Sequence, residues 1–378
     1  MKIALIGNMN NNFFSITRYL RDLGCDAHLY YENNLVNHFL PESDTFQSCN
    51  KINYIHKINF YNYFFGLNKY KNLLAGYDYV IACGLHIGLL EREKIKIDIA
   101  IPYGSDLYEV TNPKFNFNKL KSFTLFYYLK NNQIKGFQKS RYIILNDEFD
   151  LVKKAAQKIS LKTKNIGIPM IYNKEIKNDK FEKWSFLKDK DLVVFNHSRQ
   201  LWKKNIFNIS KGNNIIIEAF SKIVNEGFFK NPILVLFEYG DNVEDSKLLI
   251  RKFGIEHFVH WMPIMPRKEI LQGLQNADFV ANSFNSKEID IGGVVYEGLA
   301  SGSVVLNNMN NLPSNHIFTS SPVVHALEVE QIYAIFLDFA KNKSKYSKIR
   351  DYSKEWFDEN LGLGLAKKYK NILESIKR

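Results

Sequence analysis

The sequence predicts an α/β protein built from two Rossmann-like, doubly wound domains facing a central cleft. Three observations predict it. Short β-rich runs alternate with helical stretches along the chain, as in sheets covered by helices on both faces. The alternation stops once, over 173–191, where Lys, Asp and Glu crowd and apolar residues thin out, and then restarts. The 378 residues, 46 % of them hydrophobic, suffice for two proper cores.

The first domain opens with a strand over 2–7 (KIALIG), a polar turn at 8–12 and a helix near 15–23. Gly24 ends that helix, as glycine does just past a helix end. Further strands are expected over 27–31, 79–83, 98–101, 142–145 and 165–168, with helices between most of them. After the linker come strands over 192–196, 233–238, 259–261, 279–281 and 304–307. Helices are expected over 213–225, 245–253 and 268–276, within 290–302, and near 329–341 and 347–375. In such sheets, ligands bind at the carboxyl ends of the strands.

Composition excludes several classes. No apolar run approaches the ~18–20 residues of a membrane span, and MKIALIGNMN does not read as a signal peptide. Three scattered cysteines, Cys25, Cys49 and Cys83, suit neither a disulfide framework nor a zinc site and point to a reducing, cytoplasmic compartment. The net charge of +12 permits a nucleic acid, an anionic membrane or a phosphorylated substrate as partner. No nucleic-acid recognition motif accompanies it, and we assign most of it to the Lys- and Asn-rich bias of the chain. The segment 115–141 stands apart because it interleaves Lys with Phe and Tyr. Such a helix either packs its aromatics inward, the commoner case, or lies on a membrane surface.

Motifs narrow the chemistry. The chain has no G-x-G-x-x-G after its first strand, no phosphate loop ending in GK[ST], no H-E-x-x-H and no G-x-S-x-G. The most informative stretch is 290–302, DIGGVVYEGLASG. Gly292 and Gly293 open a helix whose N–H groups and dipole suit a phosphate. Glu297, further along, suits a sugar hydroxyl, because an ionised carboxylate is a multiple acceptor. A plain helix with a surface Glu accounts for the segment equally well. Arg199 and Lys211 lie in the loop after the strand 192–196, where a bidentate guanidinium and a point charge could hold a diphosphate; a solvated basic loop is the simpler account. Asp106, in PYGSDL after a strand, could order a sugar hydroxyl or act as a base, or serve as a helix N-cap or close an Asx-turn. His86, His197, His257 and His260 show no metal-ligand spacing and read mostly as surface or satisfied core residues.

In order along the chain, these segments resemble the GT-B glycosyltransferases, specifically retaining glycosyltransferase family 4. The carriers are HSRQ…KGNN with Arg199 and Lys211, Tyr239-Gly240 and Phe258 to Pro263. Then come Ala277-Asp278 with the strand to Ser283, the 290–302 motif and, in the first domain, Tyr103-Gly104-Ser105-Asp106. The resemblance implies transfer of a sugar, with retention and without metal or other cofactor, from a nucleotide-sugar donor. The acceptor it implies is a glycan or a lipid-linked molecule of cell-surface polysaccharide synthesis. It assigns the donor diphosphate to Arg199, Lys211, Gly292 and Gly293, the donor ribose and sugar to Glu297 and Asp290, and the border of the nucleobase to Met262 and Pro263. Asp106 is the implied catalytic residue. It also implies a division into an acceptor-side domain 1–172, the linker 173–191, a nucleotide-sugar domain 192–345 and a terminal helix, 346–378, that returns to the first domain.

The motif departs from the family at one place. The family's first acid would fall on Ile289, flanked by Glu288 and Asp290, of which we prefer Asp290 as the substitute. That departure keeps a non-transferase reading open, either a sugar-nucleotide epimerase or a non-catalytic partner subunit. The implied location is cytoplasmic, with peripheral contact to the inner membrane face through 115–141.

Overall fold

The computed structural model describes residues 1–32, 36–115, 120–145, 150–176, 182–203, 210–284, 290–310 and 312–376. The chain divides into two compact units, 1–172 with 361–378, and 173–360. The first holds a seven-stranded sheet and the second a six-stranded one.

In the first unit the strands are β1 (Lys2–Ile6), β2 (Asp26–Glu32), β3 (Ile55–Ile58), β4 (Tyr79–Ala82), β5 (Ile99–Ala100), β6 (Tyr142–Ile144) and β7 (Thr163–Lys164). They lie in the order β3-β2-β1-β4-β5-β6-β7, with every pairing parallel. The alternation of strand side chains explains the two covered faces. Ile3 and Leu5 of β1 face a core shared with the helix Asn12–Asp22 and the terminal helix Leu363–Ser375. Ala4 and Ile6 face a second core with the helices His86–Arg92 and Leu120–Lys139. Gly136 lets those two helices approach closely, since a Cβ there would sit 2.8 Å from the Ile87 carbonyl oxygen.

In the second unit the strands are β8 (Leu192–Asn196), β9 (Pro232–Phe237), β10 (Val259–Met262), β11 (Phe279–Ala281), β12 (Val304–Asn307) and β13 (Val324–His325). Their order, β10-β9-β8-β11-β12-β13, repeats the first sheet's winding, again all parallel. Val194, Leu236, Phe279 and Leu306 pack beneath the helices Asn213–Asn225 and Val329–Lys341. The opposite face carries the helix Gly293–Ser301. Gly298 seats that helix, because a Cβ there would come within 2.7 Å of Val305 Cγ2.

Two expectations need correction. The strand expected over 165–168 is Thr163–Lys164 instead. Gly167 turns to positive φ and gives its carbonyl to the Tyr369 hydroxyl at 2.9 Å, so the chain leaves the sheet for the terminal helix. The single helix expected near 347–375 is two, Lys343–Asn360 and Leu363–Ser375, and Gly362 caps the second. The segment 173–191, read as a linker, carries short 3-10 turns at Asn173–Glu175 and Glu182–Leu187. It buries Trp184 as part of the second unit. Strands β3 and β13 were not expected from the sequence. Among the described residues no helix is long and apolar enough to cross a membrane.

Candidate functional site

A strand order of this kind reverses direction at one point, where the connections leave toward opposite faces and the carboxyl ends open a crevice. In the second unit that point lies between β8 and β11. The residues at and just past the ends of these strands are polar yet buried: Asn196 at the end of β8 with His197, Ser198 and Gln200 after it, and Asn282 and Ser283 after β11.

A hydrogen-bond network holds them. The Asn213 amide donates to Asn196 Oδ1 at 2.8 Å and to Ser198 Oγ at 3.2 Å, and accepts from Leu201 N at 2.9 Å. Gln200 N donates to the Tyr239 carbonyl at 2.7 Å. Gly240 lies so close to this turn that a Cβ would meet Gln200 N at 2.7 Å, at a φ of +114 that disfavours any other residue. Asn282 Nδ2 donates to the Asp290 carbonyl and to Asn307 Oδ1, each at 2.8 Å. The described residues that follow β8 and β11 are thereby tied to one another, as a preorganised site requires.

Within this frame sits Glu297, on the buried side of the helix Gly293–Ser301 and 7 % exposed. His197 Nε2 lies 2.7 Å from its Oε2, and Arg267 Nε donates to its Oε1 at 2.9 Å. Burial alone would raise its pKa. The hydrogen bond and charge of His197, followed by the charge and hydrogen bond of Arg267, outweigh burial and bring it down to about 2. Each carboxylate oxygen keeps a second lone pair for a further donor.

Lys211 and Asp290 form an ion pair, both partly buried. Phe284 N donates to the Lys211 carbonyl at 3.0 Å, tying this pair to the end of β11. Gly292 precedes the helix Gly293–Ser301, and no side chain caps that end. Arg199 is exposed, between buried Ser198 and Gln200. Met262 ends β10 and is buried, whereas Pro263 is exposed. The chain then runs from Pro263 into the helix Arg267–Leu274, whose first residue reaches Glu297. Lys211, Asp290, Gly292, Gly293 and Glu297 therefore gather about the ends of β8 and β11, with Arg199 in the first of those loops. Glu288 and Ile289 lie outside the described residues.

Three buried polar atoms here have no hydrogen-bond partner: His197 Nδ1, Asn282 Oδ1 and Ser283 Oγ. Such atoms are uncommon in native interiors and call for an explanation. All three follow β8 or β11, so part of the unused bonding capacity of the described residues lies where the fold opens a crevice.

Sequence reasoning missed His197 and Arg267. His197 had been grouped with core and surface histidines, yet its place directly after a strand was the available signal. Arg267 carried none, because its link to Glu297 depends on the chain's turn after β10. The other histidines stay outside this cluster. His86 is buried with Nδ1 at 2.5 Å from the Tyr70 hydroxyl, and His260 stacks on Phe186.

Asp106 lies in the first unit, in the short helix Ser105–Tyr108 after β5. It is buried, and backbone N–H groups occupy its carboxylate: Tyr103 at 2.9 Å and Gly104 at 3.0 Å on Oδ1, Gly84 at 3.1 Å on Oδ2. Burial raises its pKa to about 6 despite these bonds. The arrangement joins the loops after β4 and β5, as an Asx-turn closure does. Among the described residues, no three His, Cys, Asp or Glu side chains converge as metal ligands would.

The helix Leu120–Lys139 is divided. Its later part buries Leu129, Gln133 and Phe137, whereas Leu120, Tyr127 and Tyr128 are exposed. Residues 116–119, within the basic aromatic segment, lie outside the described residues.

No family model matches the chain, and no curated protein is similar to it in sequence. Solved structures share its fold along its full length. HepE of Anabaena, solved in complex with UDP, superposes with a TM-score of 0.60 at 14 % identity, covering 100 % of both chains. WaaG, a glycosyltransferase involved in lipopolysaccharide biosynthesis, gives 0.53 at 13 % identity, covering 99 % of this chain and 100 % of that one. The UDP-GlcNAc 2-epimerase of Neisseria meningitidis, bound to UDP-GlcNAc, gives 0.56 at 12 % identity, covering 100 % of both chains. The fold is thus the two-domain, Rossmann-like GT-B fold, which glycosyltransferases and epimerases share.

Proposed function

We propose that the protein is a glycosyltransferase that takes its sugar from a nucleotide-diphosphate donor held in the second unit. One observation carries the reading. At the ends of β8 and β11 a lysine–carboxylate pair, an uncapped helix start and a carboxylate kept ionised by His197 and Arg267 stand together, beside three unsatisfied polar atoms. Lys211, with Arg199 and the N–H groups at Gly292 and Gly293, would bind the diphosphate and take up the charge that develops as it leaves. Glu297 would accept from ribose hydroxyls, Asp290 would contact the donor sugar, and Met262 and Pro263 would border the base. Asp106 would help to order a sugar hydroxyl, the role that the family resemblance gives it. Retention of configuration, catalysis without a metal, and an acceptor in cell-surface polysaccharide assembly complete the proposal.

The base we propose is uracil, because HepE and the epimerase are complexed with uridine nucleotides. A thermal-shift series with UDP, GDP, ADP and CMP tests it, since a ligand stabilises the fold it binds. UDP should raise the melting temperature most. Equal shifts, or none, would overturn the site. The epimerase neighbour supports a second reading, in which the donor sugar is isomerised in place. Incubating the protein with UDP-GlcNAc without any acceptor separates the two, because an epimerase alters the sugar and a transferase needs a partner.

A further inference from the structure

Two of the three unpartnered atoms after β8 and β11 belong to cross-strand neighbours. These strands pair with Phe195 opposite Val280. Two positions further, that register sets His197 opposite Asn282, and neighbouring strands run about 4.8 Å apart. Side chains keep the alignment past the last strand pair: Asn196 Nδ2 donates to the Ala281 carbonyl at 2.9 Å and Ser198 Oγ to the Asn282 carbonyl at 3.3 Å. Both side chains reach toward the helix Gly293–Ser301. His197 bonds Glu297 on it, and Asn282 bonds the Asp290 carbonyl ahead of it.

The bonds already made fix the polarity of what is left. Asn282 Nδ2 is spent on two acceptors, the Asp290 carbonyl and Asn307 Oδ1. Its Oδ1 is therefore an acceptor, buried and without a donor. An ionised carboxylate only accepts, so the His197 nitrogen at 2.7 Å from Glu297 carries a hydrogen. In the neutral ring the other nitrogen, Nδ1, is then bare, and it too is buried without a partner. His197 and Asn282 are 8 % and 1 % exposed, so bulk water does not meet the need of either. An ionised phosphate has no hydrogen to offer such a pair. A hydroxyl does.

We infer that His197 Nδ1 and Asn282 Oδ1 form a hydroxyl-recognising pair that selects the sugar of the nucleotide-sugar donor, each accepting a hydrogen bond from a ring hydroxyl. The inference rests on the donor site proposed above. Asn282 is bonded to Asp290, the residue set against the donor sugar there, and so the sugar rather than the ribose is the source assigned. Two uncharged acceptors then stand in for the acid that the sequence lacks at Ile289. A donor without these hydroxyls would leave both acceptors buried and unpaired, which is how a polar site rejects such an analogue.

The test reads the His197 ring by magnetic resonance, in the full chain with isotopically labelled histidine nitrogens. His197→Gln identifies the signals, because Gln keeps a nitrogen for Glu297 and has nothing in place of Nδ1. In the free protein Nε2 should carry the hydrogen and Nδ1 none. UDP-glucose should shift the Nδ1 signal, and UDP should leave it in place. Calorimetric titration gives a second readout. His197→Gln should bind UDP-glucose roughly tenfold more weakly, the loss of one such hydrogen bond, and should bind UDP as the parent protein does. Asn282→Ala should show the same split at a lower melting temperature, because it also loses the bonds to Asp290 and Asn307. A hydrogen on Nδ1 in the free protein would overturn the pair. So would an Nδ1 signal indifferent to UDP-glucose in a protein that UDP stabilises. A shift produced in full by UDP would move the contact to the ribose and overturn the assignment to the sugar. If neither nucleotide binds, the donor site itself falls, and the role of the pair with it.

Discussion

Asp106 and Glu297 are both buried carboxylates, one in each unit, and their surroundings drive them in opposite directions. Asp106 faces backbone N–H groups only, those of Tyr103, Gly104, Gly84 and Leu107, and burial still raises its pKa to about 6. Glu297 faces His197 and the Arg267 guanidinium and is brought down to about 2. Neutral dipoles satisfy the geometry of a buried carboxylate without fully stabilising its charge; a guanidinium partner such as Arg267 does both. Asp106 is therefore built into the loops it joins, whereas Glu297 belongs to a charged cluster that keeps lone pairs to spare. The difference also ranks the expected effects of mutation.

The largest effect should follow removal of Glu297. Glu297→Ala leaves His197 and Arg267 without their common partner, and breaking a buried ion pair from one side costs roughly 3–5 kcal/mol. Urea denaturation of the variant should show that loss. Glu297→Gln keeps one acceptor oxygen and should retain the fold while transfer drops by roughly 10²-fold or more. A Glu297→Gln protein with wild-type turnover would remove Glu297 from the donor site and leave it a structural ion.

Lys211 and Asp290 come next, because they are partly buried and paired with each other rather than locked in a cluster. Lys211→Ala should reduce transfer by roughly 10²-fold. Asp290→Asn should do something different. It releases Lys211 from its present partner, so UDP should bind about fivefold more tightly, the order of about 1 kcal/mol expected for such a pair. Transfer should nevertheless fall, if Asp290 contacts the donor sugar as proposed. Calorimetric titration with UDP reads the first effect and product formation the second. Weaker UDP binding in Asp290→Asn would show that the pair is needed to place Lys211.

The two sites were not equally legible in the sequence. The doubly wound class followed from alternating elements, and several strands lie where patterning placed them, because buried parallel strands are continuous apolar runs such as Leu192–Asn196. Thr163–Lys164 was misplaced because a two-residue edge strand with both residues exposed has no such pattern. Glycine gave the break at Gly362 a local cue that a long helical period concealed. At the site, Lys211, Asp290 and Glu297 were readable as charged residues beside glycines. Arg267 was not, because it reaches Glu297 from 30 residues away in sequence. The bonds to Asp106 were half readable: Tyr103 and Gly104 are its neighbours, but Gly84 comes from another strand's end.

The smallest effect should be the pH dependence of Asp106, and it sharpens the comparison most directly. A carboxyl whose folded pKa is raised contributes stability that is complete below its unfolded value, near 3.8, and lost as pH rises to about 6. Glu297 runs the other way: its contribution is present above its unfolded value, near 4.5, and is lost as pH falls toward about 2. Asp106→Asn gives up an acceptor for either Gly84 or the Tyr103–Gly104 pair, but also removes the cost of burying a charge. It should therefore melt below wild type at about pH 4, with the gap narrowing toward about pH 8, where wild type carries that cost. Glu297→Gln should show the reverse, its deficit growing as pH rises from about 2 to about 5. A gap for Asp106→Asn that does not change with pH would mean that the carboxyl titrates alike folded and unfolded. The backbone N–H groups would then have offset burial completely, and the contrast with Glu297 would reduce to a difference of partners without a difference of charge.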